Sequence, residues 1–154
     1  MRTWIENLSV DECALVNFND SAVVFPLNGY LRLRSDDGTV YPEARKQLLT
    51  AFDRSRSGVY SDLLKGLKAA YALQKPDVIV LFTDGHPHVS GKGDEGLAQE
   101  ILGEAAKHPE IPILAVALGS YEIEGVGGPR ERANPAISFL KRLSGSTGGN
   151  FLGR

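Results

Sequence analysis

A chain of 154 residues with 42% hydrophobic and 23% charged side chains is long enough to bury one sizeable core, and no apolar run approaches the about 20 residues of a membrane helix. The 17 Lys plus Arg against 19 Asp plus Glu leave a formal charge of −2 with no basic block, so neither nucleic acid nor an anionic membrane is an expected partner. A single cysteine, Cys13, excludes an internal disulfide and fits a reducing compartment, and Met1 to Leu8 lacks the apolar region of a signal peptide, so a cytoplasmic chain is expected.

Trp4, Ile5 and Leu8 fall three and four apart, as in the last turns of an amphipathic helix. Cys13 to Phe18 reads as a strand, Asn19-Asp20 as a turn and Ala22 to Phe25 as a second strand, which together predict an antiparallel hairpin. Asn28-Gly29 and Asp36-Asp37-Gly38 mark turns on either side of a short stretch in which Tyr30, Leu31 and Leu33 alternate with Arg32 and Arg34. That alternation fits an exposed binding strand or a hairpin extension lying on a helix.

Pro42 suits a first helical turn, and Ala44, Leu48, Leu49 and Phe52 then recur at helical spacing. After Arg54 to Gly58 a second helix is expected, with Tyr60, Leu63, Leu64, Leu67, Ala70, Tyr71 and Leu73 on one side and Pro76 as its stop. Asp77-Val78-Ile79-Val80-Leu81-Phe82-Thr83-Asp84-Gly85 is an unbroken apolar run closed by Thr-Asp-Gly, the habit of a central strand in a parallel α/β sheet. Ligands in such sheets gather at the carboxyl edge, which makes Asp84 the first candidate for chemistry. A polar loop from His86 to Gly93 leads to a helix over about 94–108 with Leu97, Ile101, Leu102 and Ala105. Pro112 to Gly119 holds another buried strand, and a Gly-rich loop from Ser120 to Arg132 comes after it. Asn134-Pro135 opens a helix carrying Ile137, Leu140 and Leu143, and Gly148 to Leu152 closes the chain as an edge strand. Strands alternating with helices predict right-handed parallel crossovers after an antiparallel hairpin, in a doubly wound α/β fold spanning 1–154 as one domain.

Gly91-Lys92-Gly93-Asp94-Glu95-Gly96 fits G-x-G-x-x-G between a strand and a helix, the context of a dinucleotide site. Six residues, Gly85 to Ser90, separate it from Asp84, where the fingerprint turns at once. His86 and His88 flank Pro87, but the third histidine, His108, stands at the far end of the next helix, a poor spacing for zinc. The sequence has no G-x-S-x-G, no Walker lysine motif and no recognisable pair of catalytic carboxylates, so no enzyme activity is expected.

Taken by segment, this order resembles the von Willebrand factor A domain. Ala14 to Asp20 is similar to that family's second strand, Ser57 to Leu63 to its Thr-containing loop entering a helix, Asp77 to Gly85 to its Thr-Asp-Gly strand, and Ser144 to Phe151 to its closing turn and edge strand. The resemblance implies a mostly parallel sheet with helices on both faces, an antiparallel edge hairpin, and a divalent metal at the carboxyl edge. That family's metal-ion-dependent adhesion site (MIDAS) uses an Asp-x-Ser-x-Ser turn, a Thr and the Asp of Thr-Asp-Gly. Here Asp84 matches and Ser57 stands at the Thr position, but no Asp-x-Ser-x-Ser follows a first strand; the pattern occurs once, at Asp53 to Ser57, behind the Ala44-to-Phe52 helix. The family's first, central strand falls upstream of Met1, so a truncated domain is expected. Its gap would be closed by the sheet itself or by a strand from a partner or second copy (a homo-oligomer), or Met1 is internal to a longer protein with a complete metal site.

The resemblance therefore implies a non-enzymatic protein-interaction module with a degenerate metal site at Asp84 and Ser57 and no resident cofactor. Mg²⁺ is the ion to test, and a protein partner is expected at Ser57, Tyr60, Asp84, Gly85 and His86, beside the Asp20-Ser21 and Ser120 loops. The alternative is a nucleotide-binding α/β protein using Gly91 to Gly96.

Overall fold

The computed structural model describes residues 1–55, 61–83, 94–118 and 135–153, and the chain divides into two compact units, Met1–Gln74 and Lys75–Arg154. The first contains helix α1 (Arg2–Glu6), strands β1 (Glu12–Cys13), β2 (Leu15–Phe18), β3 (Ala22–Phe25) and β4 (Leu31–Arg32), and helices α2 (Pro42–Asp53) and α3 (Leu63–Tyr71). The predicted hairpin is present: β2 and β3 run antiparallel with Leu15 opposite Phe25 and Phe18 opposite Ala22. The single strand expected over Cys13 to Phe18 is divided at Ala14, because its two ends serve different partners. Glu12 and Cys13 pair antiparallel with Arg32 and Leu31, while Leu15 onward pairs with β3.

Ile5, Leu33 and Leu48 form a buried cluster of this unit, with Leu8, Leu15, Phe25, Leu31, Leu49 and Phe52 packed around it, and Leu63, Leu67 and Ala70 of α3 are buried as well. Pro42 takes the first helical position of α2, where its missing N–H leaves nothing unsatisfied, and the helical spacing from Ala44 to Phe52 turns those side chains inward. Leu33 is 1% exposed, so the Leu-Arg alternation over 31–34 is a strand edge with its leucines in the core rather than an exposed binding strand. Arg34 donates to the Ser9 hydroxyl at 3.0 Å.

Five residues are too few to hold a helix unaided, so α1 depends on what it touches. Ile5 is buried, and the Arg2 guanidinium meets both oxygens of Asp53 at 2.6 and 2.5 Å. Arg45, on α2, donates to the carbonyl oxygens of Ile5, Glu6 and Leu8 at 2.8, 2.7 and 2.7 Å. Carbonyls at a helix C-terminus lack partners within the helix, and a single guanidinium fork supplies them here.

The turn after β4 is closed by Ser35 N–H to the Thr39 carbonyl and Gly38 N–H to the Ser35 carbonyl, both at 2.9 Å, with Gly38 in the left-handed region at φ 86°. Inside it the Asp37 carboxylate accepts from the Thr39 N–H at 3.0 Å and from the Ser35 hydroxyl.

The second unit contains β5 (Ile79–Thr83), α4 (Asp94–Ala105), β6 (Ile113–Ala117), α5 (Pro135–Ser146) and β7 (Phe151–Gly153). Its sheet has the order β5-β6-β7 and is parallel throughout, with Ile79 opposite Ile113, Thr83 opposite Ala117, and Ala117 opposite Gly153. Parallel neighbours need a crossover, and α4 and α5 stand in sequence where the two crossovers are required. The middle strand of these three is β6, not the Asp77 strand. Ile113, Ala115 and Ala117 of β6 are fully buried, whereas β5 is half-buried on either side of Leu81. Leu97, Ile101 and Ala105 of α4 are buried, as are Ile137, Leu140 and Leu143 of α5, and α5 packs on α4, β6 and β7.

The connection from α5 to β7 lies directly on the start of β6. A Cβ at Gly149 would stand 1.9 Å from the carbonyl oxygen of Ile113, so no side chain fits. Two residues earlier, the buried Thr147 hydroxyl accepts the Ile113 N–H at 3.0 Å and lies 3.1 Å from the Ser144 carbonyl, to which it donates. Each unit thus has its own core, and the class is mixed α/β: a small parallel sheet accompanied by antiparallel pairs.

Thr147→Val keeps the shape but leaves the Ile113 amide buried without an acceptor, and should cost about 1–3 kcal/mol, read as a lowered midpoint in calorimetric unfolding. A second expectation concerns acid. The two hydrogen bonds on Asp37 hold its carboxyl down at about 2. Its contribution to the turn is therefore complete above the ordinary carboxylate range near pH 4 and lost as pH falls through about 2. An NMR titration of the Asp37 carboxyl carbon checks the midpoint, and a value near 4 would show that these bonds do not favour the charged form.

Candidate functional site

Because β5, β6 and β7 are parallel and in register, Thr83, Ala117 and Gly153 finish at one edge of the sheet. The Leu118 N–H donates to the Thr83 carbonyl at 2.7 Å, extending the ladder one residue past the strands, and the Leu118 side chain is exposed there. Asp84 follows Thr83 in sequence and Gly119-Ser120 follow Leu118. Asp84, Gly85 and His86 themselves, Ser57 and Tyr60, and the Ser120 loop lie outside the described residues.

In the first unit, the Asp20-Ser21 loop expected to border the partner surface is described, and it is tied to the start of α3. Asn19 folds the turn: its N–H donates to the Ser21 carbonyl at 2.9 Å and its side-chain oxygen accepts the Ser21 N–H at 3.1 Å. Asp62 N–H donates to the Asn19 carbonyl at 3.0 Å, and Lys65 Nζ donates to the Asp20 carbonyl at 2.8 Å. Asp62 is the N-cap of α3, only 7% exposed, with one oxygen accepting the Lys65 N–H at 3.1 Å and the other 3.0 Å from Lys65 Nζ. A Cβ at Gly66 would come within 2.8 Å of the Phe18 ring, so α3 sits tightly on β2 just before this turn.

Asp62 and Lys65 are absent from the site expected from the sequence, although a local signal points to the first of them. An Asp immediately ahead of the apolar Leu63-Leu64 pair is an N-cap signature, and it starts α3 at Leu63 rather than at Tyr60. With both of its oxygens engaged inside the fold, Asp62 is a structural cap and offers no open position for a ligand. Among the described residues there is no group of three or more His, Cys, Asp or Glu able to hold a metal ion.

His86 and His88 lie outside the described residues; His108 closes the turn after α4, its N–H on the Ala105 carbonyl at 3.0 Å and its Nδ1 4.0 Å from a Glu110 oxygen. Of the glycine-rich run, 91–93 lie outside the described residues. Gly96 is in the first turn of α4, where a Cβ would meet no described atom within 4 Å. The third glycine of a dinucleotide fingerprint allows close helix–strand packing, and among the described residues no strand atom comes that close to Gly96. Cys13 is half-buried, and burial pushes its thiol up to about 11, so it is a protonated, weakly nucleophilic group at neutral pH.

No family model matches the chain, and no curated protein does. Among solved structures it is similar to an uncharacterized membrane spanning protein from Vibrio fischeri, at 19% identity over 99% of this chain and 72% of that chain, with a TM-score of 0.36. At that TM-score the likeness supports no inference about fold or function. Among the described residues here, no helix is long and apolar enough to cross a membrane.

Removing the cap with Asp62→Ala should destabilise the first unit by about 0.5–2 kcal/mol, whereas Asp62→Asn, which still offers a capping oxygen, should lose much less. Urea unfolding followed by emission of Trp4, the single tryptophan, measures both, and equal losses for the two variants would argue against a capping role.

Proposed function

We propose that this chain is a non-enzymatic protein-interaction module of the von Willebrand factor A type, doubly wound with helices on both sheet faces, and with an incomplete, metal-free adhesion site. The observation that carries the reading is the parallel β5-β6-β7 sheet whose first strand, Ile79–Thr83, leads in sequence straight into Asp84-Gly85. It is supported by the antiparallel β2–β3 hairpin ahead of it and by the turn at Asn19 to Ser21, which is pinned to α3.

A hard cation such as Mg²⁺ keeps several waters and is bound in proportion to the charged oxygens offered to it. This sequence offers Asp84 and the Ser57 hydroxyl. Its one Asp-x-Ser-x-Ser run, Asp53 to Ser57, begins at the last residue of α2 with the Asp53 carboxylate already taken by Arg2, so the ion's own water shell wins. Partner recognition then falls to the loop residues Ser57, Tyr60, Asp84, Gly85 and His86. The partner is another protein.

Isothermal titration calorimetry with Mg²⁺ and with Mn²⁺ is expected to show no saturable uptake in the micromolar range. Saturable uptake that disappears in Asp84→Ala would overturn the metal-free half of the reading. For the interaction half, immobilised chain is compared with a Tyr60→Ala, His86→Ala double variant in capture from a lysate. Proteins retained by the first and lost with the second support these loops as the contact surface, and identical retention by both rules them out.

A further inference from the structure

We draw no further inference here: the strongest candidate, the shallow groove along the exposed face of α2 lined by Phe25, Glu43, Lys46, Gln47, Thr50 and Arg54, carries nothing because nothing in the structure shows what covers it.

Discussion

Between Gly149 and the backbone of Ile113 there is no room for a side chain, and the second unit is built on that contact. A Cβ there would meet the Ile113 carbonyl oxygen, carbonyl carbon and amide nitrogen at 1.9, 2.5 and 2.8 Å, all of them main-chain atoms that no rotamer change can move aside. The chain leaving α5 therefore lies flat on the first residue of β6. From that position Thr147 can accept the Ile113 amide, and the Asn150 carbonyl accepts the Ala115 N–H at 2.9 Å. The second bond starts the β6–β7 ladder and so sets its register. As β6 also pairs with β5, the same register carries through to Thr83, the last described residue before Asp84.

The first unit is held differently. One of its buried clusters is Ile5, Leu33 and Leu48, separate from the buried Leu63, Leu67 and Ala70 of α3. Burying one such side chain contributes about 1.5–3 kcal/mol, whereas ordering a backbone costs about 1–2 kcal/mol per residue, so a five-residue helix is not retained by Ile5 alone. The balance is met by Arg45, whose three hydrogen bonds to carbonyl oxygens are of the charge-assisted kind, about 1.5–3 kcal/mol each. Arg45 on α2 thus adds to the packing of Ile5, Leu8 and Val10 in holding the residues ahead of β1 on the unit. The Arg2–Asp53 pair adds little beside it, because both side chains are about half exposed to water.

Much of this is legible in the residues. The apolar run ending at Thr83, the Ala44-to-Phe52 spacing and the Asn19-Asp20 turn each carry a periodicity or a turn chemistry that names the element on sight. What cannot be read is whatever depends on a partner far along the chain. Two apolar runs of equal strength, around Ile79 and Ile113, do not say which is the middle strand, and only pairing makes it β6. The break at Ala14 comes from two different partner strands, and the role of Arg45 from carbonyls about 40 residues away. Asp62 is legible by local capping rules, but the same stretch also reads as a hydroxyl-bearing loop running into a helix from Tyr60, and the two readings place the helix start three residues apart. For Ser57, Tyr60, Asp84, Gly85 and His86 the residue types and their order are the whole basis of the reading, since all five fall outside the described residues.

Cys13 has a practical corollary. A half-buried thiol that stays protonated until about pH 11 reacts slowly with maleimides and iodoacetamides at neutral pH, and the chain has no other cysteine. A second cysteine introduced on an exposed loop would consequently take a fluorophore or spin label selectively, with the native residue left in place.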